Sequence, residues 1–272
     1  MTGDSFIGEK QQSRATWALG SFGDIASFFP PMSYNLTRAA QVSPDETLLD
    51  VACGSGITAI TARRLGAKVT GLDITPELLV RAKQEADLAE TYDIEWKEGD
   101  AESLPFDDDS FDVVLSSFGH IFAPHPDVAA KEIIRVTKRG GRIAFTSWPP
   151  ENATGRVFAA IAKYIQQPST KDIPPSPMQW GIPEIVQNQL NTLKVMEPRF
   201  ERGVVNIPLL SLNHYWQLFS TRFGPLLQAI QTLKGDPIKI GNLKRDIIKA
   251  ISPYFYDNVL RLDYLITATT KS

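Results

Sequence analysis

The sequence predicts an α/β fold, a doubly wound and mostly parallel sheet, and three observations carry that expectation. Between Thr47 and Trp148, short apolar runs alternate with segments of helical periodicity. The connections between them are short, as right-handed crossovers require. The first apolar run ends in a glycine-rich turn, Asp50 to Ala59 (DVACGSGITA), that opens directly into a helical segment. Strand alternating with helix is the pattern of a parallel sheet covered on both faces.

Taken in order, residues 1–45 read as helical lead-in, including Ser33 to Ala40. Thr47–Val51 (TLLDV) is the first strand, and Ile57–Leu65 is a helix closed by Gly66. Ala67–Leu72 is the second strand and ends at Asp73. Thr75, Pro76 and Glu77 then supply an N-cap, an N1 proline and a first-turn acid. Ile94–Glu98 and Asp112–Ser116 are strands three and four. A helix from about Asp127 to Lys138 is expected to stop at Gly140 and Gly141, with Arg142–Trp148 as strand five. Beyond Trp148 the pattern changes. A helix is expected from Thr154 to Ile165, a proline-rich loop from Pro168 to Pro183 with a short helix after it, and strands at Phe200–Leu209 and Leu260–Thr270. A helical block over 211–256 lies between those strands; it is either additional core or a lid over the mouth of the sheet. The expected organisation is one domain: N-terminal helices (1–45), the glycine-turn core (46–150), variable helices and a strand (151–210), the helical block (211–256) and a final strand (257–272).

Bulk properties narrow the function. At 272 residues the chain can bury a full core, and 43% hydrophobic with 22% charged residues is ordinary for a globular protein. The net charge of −3, without a basic stripe, argues against a nucleic-acid surface. The N-terminal stretch lacks the basic and apolar regions of a signal peptide, and no run is long and apolar enough to span a bilayer. Cys53 is the only cysteine, so no intrachain disulfide forms, and His120, His125 and His214 have no metal-ligand spacing. A cytoplasmic setting is expected, with no metal. Oligomeric state is not legible.

The glycine turn raises a choice of cofactor. Gly54, Gly56 and Ala59 fit the G-x-G-x-x-A dinucleotide fingerprint, yet the same glycines serve proteins that hold S-adenosylmethionine. Both ligands need a sharp turn, bare backbone and inward N–H groups, and both use an acid about 20 residues on for ribose hydroxyls. Asp73 fits either. The segment from Glu98 to Ser117 (EGDAESLPFDDDSFDVVLSS) decides between them. It places Asp100 after strand three as an acceptor for the adenine amino group, with the Ala101 N–H beside it for a ring nitrogen, and a dinucleotide enzyme needs no such carboxylate there.

On these residues the run from Leu48 to Trp148 resembles the class I S-adenosylmethionine-dependent methyltransferases, of the branch grouped with ubiquinone and menaquinone biosynthesis enzymes. The C-terminal stretch LRLDYLITATTK extends the resemblance. It implies a Rossmann-like sheet of seven strands with an antiparallel last strand, N-terminal helices folded back over the cofactor, and S-adenosylmethionine converted to S-adenosylhomocysteine. The family motif often carries a glycine where Ala52 stands. Carried over residue by residue, the resemblance implies a cofactor site of Asp50, Ala52, Gly54, Gly56, Asp73, Ile74, Asp100, Ala101, Ser117 and Phe118. Asp50 would face the methionine amino group or brace the glycine loop.

The expected activity is methyl transfer to a small-molecule acceptor, with a non-catalytic S-adenosylmethionine-binding protein or a nicotinamide-dependent oxidoreductase as alternatives. The segment after strand four lacks the acid or amide followed by two prolines and an aromatic that base-methylating relatives carry. His120 is the candidate general base, its ordinary pKa being close to neutral. Trp17, Tyr34, His214 and Trp216 are candidates for the acceptor pocket or its lid. Cys53 is expected to pack and Asp107–Asp109 to form a solvated turn.

Overall fold

The computed structural model describes residues 3–165 and 176–272, with side chains from Gly8 onward in the first helix. Most of the expected proline-rich loop, from Pro168 to Pro175, lies outside the described residues. Three helices lead: α1 (Gly3–Ala18), α2 (Phe22–Ala26) and α3 (Pro30–Ala39). The core follows as β1 (Thr47–Val51), α4 (Ile57–Arg64), β2 (Lys68–Asp73), α5 (Pro76–Leu88), β3 (Ile94–Glu98), β4 (Phe111–Ser117), α6 (Pro126–Val136) and β5 (Thr137–Ser147). Then come α7 (Ala153–Ala162), α8 (Pro183–Leu190), β6 (Arg199–Pro208), α9 (Leu212–Arg222), α10 (Gly224–Thr232), α11 (Pro237–Ile251), β7 (Phe255–Tyr256) and β8 (Val259–Thr270).

The sheet runs β3-β2-β1-β4-β5-β8-β6. Strands β1 to β5 pair in parallel, while β8 is antiparallel to both β5 and β6. Leu48 to Val51 are buried at every position, the mark of a strand covered on both faces. The order reverses between β1 and β4, and ligands of open α/β sheets sit outside the carboxyl ends of the strands at that point. The eighth strand is β7, two residues paired back onto Val259 and Leu260. Asp257 and Asn258 both take positive φ between these strands, the conformation of a tight hairpin turn.

Two local expectations change. The helix before strand five ends at Val136, and β5 starts at Thr137, well before the glycine pair. Gly140 instead takes φ +72 within the strand, and a Cβ at Gly141 would meet Lys138 O at 2.8 Å and Asp112 O at 2.9 Å. Gly140 supplies the left-handed turn, and Gly141 lets β5 run close to β4, whose pairing shifts register between Phe111 and Val113. At the start of α5, Thr75 makes no side-chain cap; its backbone N–H donates to Asp73 Oδ1 at 2.8 Å. Pro76 and the buried face of Leu78, Leu79, Ala82 and Ala86 define that helix.

In the antiparallel half, Gly203 of β6 stands in register with Tyr264 of β8. The Tyr264 ring is fully buried, and its hydroxyl accepts a hydrogen bond from Asn35 Nδ2 at 3.0 Å, which ties α3 to the sheet. A Cβ at Gly203 would come within 2.3 Å of that ring. Gly203→Ala should therefore lower stability by about 1–3 kcal/mol, the usual cost of overpacking. A urea titration checks this, and an unchanged midpoint would show that the ring has room to move.

Candidate functional site

At the carboxyl ends of β1 to β4 the structure opens a cavity with about 1480 Å³ of space between its walls, its open mouth included. One end is built by the glycine loop. Gly54 takes φ +55 and a Cβ there would meet nothing within 4 Å, so this backbone faces open space. Gly56 takes φ +81 and a Cβ would strike the Trp96 ring at 2.5 Å, so only glycine fits both the turn and its packing. Ala52 also adopts positive φ, at +52, a conformation that costs an L-residue roughly 1–2 kcal/mol. A Cβ on Gly119 would meet Ala52 Cβ at 2.4 Å, so the loops after β1 and β4 cross closely here.

Asp73, at the end of β2, binds this loop to the next helix. Its Oδ2 accepts from Gly54 N and its Oδ1 from Thr75 N, both at 2.8 Å. Burial pushes its carboxyl up, and these backbone donors oppose the rise. Asp50 lies deeper and is sealed from solvent, with no well-formed hydrogen bond to either oxygen among the described residues. Burial pushes its carboxyl up to about 8; the backbone N–H of Ala59 offsets part of that, and the neighbouring Asp73 adds to it. Asp50 is thus beneath the loop, not in the cavity wall. Burial likewise pushes the Cys53 thiol up, so it stays protonated.

At the end of β3, Asp100 Oδ1 accepts from Glu102 N at 2.8 Å, and Oδ2 lies 2.5 Å from Lys10 Nζ on α1. Lys10 also reaches Glu102 Oε2 at 3.0 Å. Glu102 Oε1 in turn accepts from the backbone N–H of His125 at 2.6 Å, with His125 Nδ1 at 3.4 Å from Oε2. Sequence reasoning missed Lys10, ninety positions away from its partner, because nothing local marks it. Ile74 and Ala101 line the wall between the two acids. Ser117 and Phe118 close the β4 side: the Phe118 N–H donates to Thr146 Oγ1 at 3.0 Å, and its ring stacks on Trp148 at 3.8 Å.

The other half of the cavity is aromatic. Trp17 lies edge-on to Phe22, Phe122 and Phe223, with centroids 5.4, 5.2 and 6.1 Å apart, and Phe158 stacks on Phe122 at 5.2 Å. From α9, Tyr215 and Phe219 face the space one turn apart, with Phe223 a further turn on. Helical phase explains the difference from expectation. The block between β6 and β8 does reach the cavity, but His214 and Trp216 sit on either side of the inward-facing Tyr215. His214 Nδ1 accepts from Leu210 N at 3.1 Å outside the cavity, and Trp216 packs against the core. The 215, 219, 223 spacing is the signal that would have found the right face. Tyr34 is also outside, 56% exposed on α3.

His120 is not in the cavity wall. It opens a 3₁₀ turn (His120–Phe122) and is fully buried between Phe145 and Trp180, at ring distances of 4.5 and 4.9 Å. Neither ring nitrogen has a hydrogen-bond partner among the described residues, and burial lowers its pKa to about 3. A neutral imidazole in an apolar box cannot take a proton from a ligand elsewhere. Asp108 and Asp109 pair with Arg135 and Lys271, both at 2.8 Å, and no cluster of metal-ligating side chains occurs among the described residues.

Residues 49–145 match the family model described as a methyltransferase domain. The uncharacterized protein Rv1405c of Mycobacterium tuberculosis is 33% identical over 95% of this chain and 93% of its own length. The demethylmenaquinone methyltransferase of Clavibacter sepedonicus is 38% identical over 47% of this chain and 53% of its own. Among solved structures, the YcgJ protein of Bacillus subtilis superposes with a TM-score of 0.59 at 20% identity, over 88% of this chain and 98% of that one.

The raised carboxyl of Asp50 has a pH signature. The native state keeps a proton that the unfolded chain releases near pH 3.8, so this contribution to stability is complete below that pH and is lost as pH rises through about 8. Asp50→Asn cannot ionise, so its stability relative to the wild type should improve steadily between about pH 4 and 8. Urea midpoints measured across that range check this; parallel curves would show that Asp50 is ionised in the folded protein.

Proposed function

Because the chain belongs to the class I S-adenosylmethionine-dependent methyltransferases, we propose that it methylates a small-molecule acceptor held in the aromatic half of the cavity. The observation that carries this reading is the cavity's two-part wall. Backbone and carboxylates at the ends of β1, β2 and β3 make one half, and rings from α1, α7 and α9 make the other. Pockets for small ligands are mostly apolar with a few placed polar groups.

The first half fits the cofactor. Asp73 keeps acceptor capacity beyond its two backbone donors and would hold the ribose hydroxyls. Asp100 would accept from the adenine amino group, and Ala101 and Ile74 would flank the ring. The open backbone at Gly54 leaves room for the amino-acid portion. Asp50 would act from below by bracing the loop. When bound, S-adenosylmethionine supplies an electrophilic methyl group on a sulfonium sulfur. The chain's own task is to hold the acceptor in line and keep water out, and orientation of this kind supplies roughly 7–11 kcal/mol of a barrier. Since His120 is sealed away, no imidazole serves as base at the described wall. Among the described residues no helix is long and apolar enough to cross a membrane.

S-adenosylhomocysteine should raise the melting temperature, because a ligand that binds only the folded state stabilises it by mass action, while NAD(H) should not. Asp73→Ala should weaken S-adenosylhomocysteine about 10- to 150-fold, as loss of hydrogen bonds to a charged group predicts, with Asp73→Asn between. Calorimetric titration measures this. Stabilisation by NAD(H) alone would overturn the cofactor assignment. For the acceptor, whole-cell extracts are incubated with isotopically labelled methyl donor and separated by size; label appearing only in macromolecules would exclude a small-molecule acceptor.

A further inference from the structure

The sheet has two edges, and they differ in how their charges are used. Strand β6 closes one side, where Glu201 pairs with Arg38 at 2.8 Å and Arg202 with Glu151 at 3.6 Å. Strand β3 closes the other side and pairs only with β2. Its outward N–H and C=O groups take no hydrogen bond among the described residues, which leaves a row of donors and acceptors open to another strand. Glu95 and Lys97 form no ion pair among the described residues either. Glu95 Oε2 accepts from Thr70 Oγ1 at 3.3 Å, and Lys97 Nζ lies over the Phe106 ring at 4.9 Å.

Charged side chains on an edge ordinarily deter pairing. On β3 their order suits one partner, a second copy of the same strand. When two copies of Ile94–Glu98 lie antiparallel about Trp96, Glu95 of each stands directly opposite Lys97 of the other, on one face of the sheet. Ile94 then meets Glu98, whose carboxylate is already paired with Arg14 at 3.0 Å. The two-fold axis passes between the Trp96 residues, so every contact is made twice. Trp96 points to the opposite face, where a Cβ at Gly56 or Gly71 would strike its ring at 2.5 or 2.6 Å; the strand is thus held from within its own chain. The connection from α5 into this edge leaves Leu88 78% and Tyr92 62% exposed, apolar surface beside the open strand.

We propose that β3 is the interface of a homodimer, in which two copies pair antiparallel about Trp96 into one continuous sheet held by reciprocal Glu95–Lys97 ion pairs. Five residues from each copy make a short ladder, so the dimer is weak and its population follows concentration.

Sedimentation velocity on the full-length chain at low salt, between about 1 and 300 µM, should show the monomer giving way to a species of twice its mass. Added sodium chloride should weaken that association. Glu95→Lys and Lys97→Glu each place like charges opposite one another in both copies, so each alone should weaken the dimer about tenfold or more. Mixed in equal amounts, these two single variants are complementary and should associate as the wild type does. The double variant Glu95→Lys/Lys97→Glu should also pair with itself. Such recovery separates lost pairing from misfolding. Amide exchange over 94–98 should slow as the wild-type concentration rises. The proposal is overturned if the wild type stays monomeric to about 300 µM, if either single variant alone dimerises as the wild type does, or if mixing the two restores nothing. A dimer that forms without slower exchange over 94–98 overturns it too, because the copies then meet elsewhere.

Discussion

The carboxylate of Asp73 is the constraint on which the site's geometry rests. It is the last residue of β2, and its two oxygens take the N–H groups of Gly54 and Thr75. One bond pins the loop that follows β1; the other sets the start of α5. Without that acceptor the buried N–H of Thr75 would go unpaired, which costs about 1–3 kcal/mol, and the half-buried N–H of Gly54 would lose its anchor. The left-handed residues Ala52, Gly54 and Gly56 then have a fixed frame to turn against. The Gly56 turn also depends on Trp96 of β3, whose ring fills the space a side chain would need. Three neighbouring strands therefore define one loop.

From that frame the cavity divides by chemistry. Strand ends contribute short side chains and backbone, because the parallel sheet presents its carboxyl edge there. The aromatic half is assembled from elements that share no local sequence: α1, the turn after β4, α7 and α9. Its cohesion is packing among rings, worth about 0.5–1.5 kcal/mol per favourable pair beyond area burial. The cavity's charged groups thus come from the sheet, and the shape of the second half is set by helices attached to it.

What the sequence made legible follows the same division. The parallel core, the glycine loop, Asp73 and Asp100 were readable because each depends on residues close along the chain or on a period of 2 or 3.6. The antiparallel last strand rested on the resemblance of LRLDYLITATTK. The helical block was placed over the sheet, but its inward face was misassigned by one residue, to Trp216 instead of Tyr215. On a helix that error is a rotation of about 100°. His120 was chosen for its ordinary pKa, a solution property that Phe145 and Trp180 remove by enclosing it. Gly140 and Gly141 read as a helix stop, whereas the first serves a left-handed turn within β5 and the second the close approach of β4. In each miss the deciding neighbour is distant in sequence.

Helix α1 is held by charge at one end and by aromatic packing at the other. Lys10 clasps Asp100 and Glu102 from α1, and its side chain is one-quarter exposed. Salt screens such partly exposed charges. Trp17 lies two turns further along the same helix and is held by rings, a contact that kosmotropic salts strengthen. Screening thus weakens the contacts at the Lys10 end of α1, while a kosmotropic salt such as sulfate strengthens those at its Trp17 end, so the two ends of one helix answer to different properties of the solvent.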